Sequence, residues 1–242
     1  MNKLGHTRSR ITPSHLLQTP DTFVRTPLPG MVKAVAIVHA APALGAGFAQ
    51  YTAEMEAGGE LGATTAQRFL YLLEGEINIG LNGNHALKVG GYAYLPQGVA
   101  HTVTAVAAAK VAVIEKHYQP VDDLPQPGAY FGDEANVAPQ PLMGDEDLQV
   151  RSLIPDQLEF DFAVNTMEYQ PGASLSMVEM HVMEHGLLML AGGGIYRLGD
   201  DWYPVTAGDF IWMGAWCPQW FGCIGKAPAK YLIYKDWNRN PL

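Results

Sequence analysis

The feature that most constrains the fold is an internal repeat. A shift of 118 positions lays Leu70-Tyr71-Leu72-Leu73-Glu74-Gly75-Glu76-Ile77 on Leu188-Met189-Leu190-Ala191-Gly192-Gly193-Gly194-Ile195, and Gly90-Gly91-Tyr92-Ala93-Tyr94 on Gly208-Asp209-Phe210-Ile211-Trp212. Each copy runs from a short apolar stretch into Gly, then a turn, then a second Gly that opens an aromatic and β-branched stretch. That is the rhythm of strands and hairpins. Asn82-Gly83-Asn84 and Gly199-Asp200-Asp201 supply the tight connections. The chain is therefore read as all-β, two tandem modules of about a hundred residues each, the usual size of a small domain.

Composition divides the rest. Between the modules, over residues 119–150, Pro120, Pro125, Pro127, Pro139 and Pro141 alternate with acids such as Asp122, Asp133, Asp145 and Asp147, which predicts a Pro/acid-rich linker. Residues 1–35 are irregular and Pro-dotted and read as an N-terminal arm, leaving modules over 36–118 and 151–242. An apolar content of 48% can fill two cores, and a net charge of -9 repels phosphate backbones, which argues against nucleic acid as a partner. The polar, basic opening residues lack the apolar core of a leader or anchor, and no apolar window is long enough to span a bilayer. A cytoplasmic protein is expected, with Cys217 and Cys223 reduced.

One run carries chemistry. In Met177-Val178-Glu179-Met180-His181-Val182-Met183-Glu184-His185, three potential ligands stand at odd positions, and alternate residues of a strand share a face. A carboxylate with two imidazoles suits Mn2+, Fe2+, Ni2+ or Zn2+ and, without thiolates, argues against a structural zinc or an iron–sulfur cluster. The repeat adds a fourth ligand, since His101 of Gly90-x5-Pro96-x-Gly98-x2-His101 falls on Gln219. Carried back by the same shift, Glu179, His181 and His185 fall on Leu61, Ala63 and Gln67, so the first module is expected to hold no metal. His6, His15, His39 and His85 stand alone and receive no role. The five tryptophans, all in the second half, read as barrel filling.

The Gly90-to-His101 spacing resembles the second cupin motif, and Gly172 through Gly193 resembles the first, with Glu-x-His-x3-His in place of the commoner order. Together with Tyr196, Gln219, Tyr231 and the ending Tyr234-Lys235-Asp236-Trp237-Asn238-Arg239, the chain resembles the (S)-ureidoglycine aminohydrolase family. The resemblance implies a bicupin, two tandem double-stranded β-helix (jelly-roll-like) barrels. It also implies a manganese-dependent hydrolytic deamination of (S)-ureidoglycine to (S)-ureidoglycolate and ammonia in allantoin and purine catabolism. Residue by residue, Glu179, His181, His185 and Gln219 resemble its metal ligands, and Tyr196, Tyr231 and Lys235 its substrate-facing residues, with Lys235, Tyr196 and Glu179 as the catalytic set. The arm before residue 40 and the tryptophan-rich stretch 212–220 depart from the family's pattern and bear on pocket shape. Barrels of this type commonly pair through sheet edges, which predicts a homo-oligomer.

Three other readings share these residues. His181-Val182-Met183-Glu184-His185 also spells the helical zinc signature of inverted metallopeptidases, with Glu184 as base. Two histidines and a carboxylate match the facial triad of non-haem Fe(II) dioxygenases, though a Gln219 ligand would occupy a position that oxygen or substrate needs. A non-catalytic, small-molecule-binding bicupin is the third.

Overall fold

The computed structural model describes residues 5–239. The outermost residues of the expected arm, 1–4, and of the second module, 240–242, lie outside the described residues. Strands make up nearly all of the regular structure. The helices among the described residues are three single 3-10 turns, at Pro20–Thr22, Pro42–Leu44 and Glu134–Asn136. Among the described residues no helix is long and apolar enough to cross a membrane.

The chain divides into two compact units. One comprises Val24–Val137 with Asp156–Asp161. Its curled sheet wraps a core of Leu70, Leu72, Ile77, Ile79, Val111 and Val113, all fully buried. Alternation sets that face: Leu70 and Leu72 point inward while Phe69 and Tyr71 lie on the other side of the strand Gln67–Glu74. Each such aliphatic side chain contributes ~1.5–3 kcal/mol on burial. The other unit takes the residues up to Phe23, Ala138–Pro155, and those from Phe162 onward. It has an eight-stranded and a three-stranded sheet that enclose Tyr169, Leu187, Met189, Tyr196, Phe221 and Tyr231.

These units differ from the boundaries expected from composition. The stretch 119–150 contains three strands, Tyr130–Asp133, Gln140–Leu142 and Asp145–Ser152. Tyr130–Asp133 pairs with Gly91–Leu95, and Asp145–Ser152 pairs with Phe162–Tyr169 and buries Leu148. Pro141 is tolerated because its strand is the outermost of the eight and has one neighbour. Residues 1–35 do not form a single arm. His15–Gln18 adds to Phe210–Met213 in the C-terminal unit, whereas Arg25–Thr26 pairs with Val32–Ala40 in the other. The first addition is pinned by Arg8, which grips the fully buried Asp209 with both terminal guanidinium nitrogens, Nη1 and Nη2, at 2.6 and 2.8 Å.

The repeat is real, but the gapless shift of 118 does not describe it strand by strand. Gly75 and Gly192 both adopt positive φ, +82° and +63°, where an added Cβ would strike the backbone of Ala108–Ala109 or Pro228–Ala229 respectively. Both sit at a bulge of the same kind, Lys110/Val111 opposite Leu72 in one barrel and Met189/Ala191 opposite Tyr231 in the other. Residue 75 therefore answers to 192, a shift of 117, and Ala109 to Ala229, a shift of 120. Insertions and deletions in the loops offset one another, which is why the average passes for a constant. The consequence is local and chemical: His185 corresponds to Arg68, not to Gln67. Each stands directly across from its strand neighbour in the same way, Arg68 from Glu115 and His185 from Lys235.

Candidate active site

Five stretches of the C-terminal barrel bring the site together. His185 opens the strand His185–Ala191, Gln219 opens Gln219–Cys223, and Lys235 lies near the end of Ala229–Asp236. Tyr196 lies on Gly193–Leu198. Glu179 and His181 belong to no strand, contrary to the expected continuous strand over 177–185. A single bridge holds Glu179 to Gln219, each backbone N–H donating to the other's carbonyl at 2.9 Å. Beyond it the His181 carbonyl accepts from the Trp216 N–H at 2.7 Å. The alternation survives only from Val178 to His181, where Val178 and Met180 are exposed while Glu179 and His181 are partly covered; Met177 is exposed as well and Val182 is partly covered.

The polar tips converge on His181 Nε2. His185 Nε2 lies 3.3 Å from it, the Gln219 side-chain amide 3.0 Å and Glu179 Oε2 3.9 Å. Rotating the Gln219 amide by half a turn exchanges its nitrogen for its oxygen at that position. Two ligands about 2.1 Å from one ion at right angles stand ~3 Å apart, so the His185 and Gln219 separations are close to those of neighbouring coordination positions. Burial, with Lys235 and His181 adding to it, pushes His185 well below the usual imidazole range and keeps it neutral with a lone pair to donate. Among the described residues no group of three or more His, Cys, Asp or Glu side chains closes into a complete cage. Glu179 stands back, and the convergence depends on Gln219. The donor set nonetheless fits a divalent ion of mixed oxygen and nitrogen preference.

Around this cluster lie Lys235, Tyr231 and Tyr196, the residues expected from the resemblance to face a substrate. Lys235 is lowered from the ordinary lysine range by burial, opposed by the Glu179 carboxylate. Tyr231 and Tyr196 lie fully buried beneath, Tyr196 against Phe221 with ring centroids 5.5 Å apart. Burial raises both phenols well above their usual range, so at neutral pH they can donate a hydrogen bond but not act as bases. Tyr169, a residue the sequence did not single out, joins them: its hydroxyl lies 2.7 Å from that of Tyr231. Its one signal in the sequence is parity, since it shares the inward face of Phe162–Tyr169 with Met167. Cys217 and Cys223 are buried free thiols.

The helical peptidase reading fails on geometry. No helix covers 181–185, and the Glu184 carboxylate accepts the Trp212 indole N–H at 3.2 Å.

Residues 165–234 match a cupin-domain family model, and residues 43–118 match a EutQ-like cupin-domain model. The chain is 39% identical to a probable (S)-ureidoglycine aminohydrolase of Oryza sativa subsp. japonica, over 98% of this chain and 78% of the relative. It is 37% identical to the (S)-ureidoglycine aminohydrolase of Arabidopsis thaliana over 98% and 80%. Among solved structures, a putative glyoxylate-induced protein from Pseudomonas aeruginosa superimposes with a TM-score of 0.89 at 32% identity, covering 100% of this chain and 95% of that one.

Proposed function

Because the chain belongs to the (S)-ureidoglycine aminohydrolase family, we propose that its C-terminal barrel hydrolyses the C–N bond of (S)-ureidoglycine, releasing ammonia and leaving (S)-ureidoglycolate, with manganese as the metal. The observation that carries this reading is the convergence of the Glu179, His181, His185 and Gln219 tips beside Lys235. A divalent ion held by those four would supply a fixed positive charge that anchors and polarises the substrate.

The reacting carbon bears an amine, a ureido nitrogen and a carboxylate. The ureido nitrogen's lone pair expels the amine, and water then adds to the carbon–nitrogen double bond so formed. The protein's task is orientation and proton transfer. Lys235 Nζ, made less basic by burial, gives a proton to the departing amine and recovers one from the entering water. Tyr196 and Tyr231 stay protonated and orient polar groups of the substrate, with Tyr169 holding the Tyr231 hydroxyl in place. Glu179 sets the negative charge that faces Lys235. The same reading places the protein in the cytoplasm, as a homo-oligomer working in allantoin breakdown.

The test is ammonia release from freshly generated ureidoglycine by metal-stripped protein reloaded with Mn2+, Fe2+ or Zn2+. Stereospecific release, restored best by Mn2+ and lost in Glu179→Ala, is expected. Silence with all three metals would overturn the reading.

A further inference from the structure

The barrel without the ligand quartet has a polar site of its own at the equivalent position. Arg68 stands where His185 does, Glu115 where Lys235 does, and His101 answers to Gln219. Arg68 is 3% exposed. Its Nε and Nη2 lie 2.8 and 2.6 Å from Glu115, both on Oε1, and the Tyr51 hydroxyl donates to that same oxygen at 3.1 Å. Nη2 also donates to the Gly62 carbonyl at 2.9 Å. Nη1 lies 3.2 Å from His101 Nε2, whose ring is turned by a 2.9 Å bond from Nδ1 to the Val99 carbonyl, leaving Nε2 as the acceptor.

A guanidinium ordinarily grips a carboxylate fork to fork, one nitrogen to each oxygen. Here three donors crowd onto one oxygen. Glu115 Oε2 is left without a protein donor among the described residues, and Nη1 keeps one N–H after serving His101. Both residues line a cavity of about 310 Å³ within this barrel, together with Met31, Ala63 and Thr65. The Glu115 side chain is 20% exposed, so its second oxygen is open to the cavity and is not sealed in the core. What remains is one acceptor on Glu115 and one donor on Arg68, with the pair's charges balanced.

We propose that this pocket binds a small molecule bearing a primary amide or ureido group. The ligand's N–H would donate to Glu115 Oε2, and its carbonyl oxygen would accept from Arg68 Nη1. The N-terminal barrel is then a second ligand site that needs no metal, and the proposal is independent of the reaction assigned to the other barrel.

The full-length chain, labelled with 13C at its methionine methyls, is titrated with N-methylurea; Met31, assigned through Met31→Leu, reports on the cavity. A saturable shift of the Met31 signal is expected, with a dissociation constant on the order of 1–50 mM for so small a probe. Glu115→Gln should weaken binding by about tenfold, while Lys235→Met in the other barrel leaves it unchanged. Ala63→Phe fills the cavity from an exposed position without touching the ion pair, and should abolish the shift even if Glu115→Gln disturbs the fold. A Met31 signal that does not move up to about 100 mM, or that moves equally in wild type and Ala63→Phe, would overturn the proposal.

Discussion

Glu184 and Lys235 flank the same cluster and separate its possible chemistries. Glu184 is held by the Trp212 indole and Lys235 stands across from His185. Glu184→Gln is expected to keep turnover within about twofold, whereas Lys235→Met should lower kcat by about 100-fold, the range of a lost proton donor. Equal losses in both would contradict the assignment, and steady-state rates of ammonia release decide it. His39 gives a residue-scale prediction of a different kind. It is buried with Nε2 2.9 Å from Thr52 Oγ1, and burial lowers it to about 3. Between the unfolded value of about 6.5 and that figure, the unfolded chain binds a proton that the folded chain does not. Stability is therefore complete above about pH 6.5 and falls by about 1.4 kcal/mol per unit as the pH drops. Urea midpoints measured across that range should fall less steeply in His39→Gln.

At the scale of strands, the paired bulges set the geometry of both barrels. Gly192→Ala would force a Cβ into the Pro228 carbonyl at a positive φ, and should cost about 2–4 kcal/mol in denaturant unfolding of the C-terminal barrel. The fold class was legible because alternation and glycine punctuation survive in both copies. Glu179, His181, His185 and Gln219 were legible as neighbours, the last through the repeat, although the strand expected to align the first three is absent and a single bridge holds Glu179. Three things were not legible. The acidic, Pro-bearing stretch 119–150 pairs into sheet edges, where a missing N–H costs little, so its composition pointed the wrong way. The segment His15–Gln18 finds its partner nearly two hundred residues on, at Phe210–Met213, and no local pattern encodes that. Arg68 was hidden by one residue of register: a shift of 118 sets Gln67 against His185, and the bulges reveal that Arg68 belongs there.

For the molecule as a whole, duplication has left two barrels with the same strand register and different chemistry at the same address. One presents a neutral imidazole, an amide and a carboxylate beside a lysine of lowered basicity; the other presents a guanidinium and carboxylate that bind each other incompletely. We propose that a single metal-dependent centre, in the C-terminal barrel, carries the hydrolysis. Its most direct test is to titrate metal-stripped protein with Mn2+ while following both bound metal and ammonia release. Activity is expected to rise in step with binding and to saturate at one ion per chain, with His181→Ala removing both and His101→Ala removing neither. Saturation at two ions per chain, or activity in His181→Ala equal to that of the unmodified protein, would contradict it.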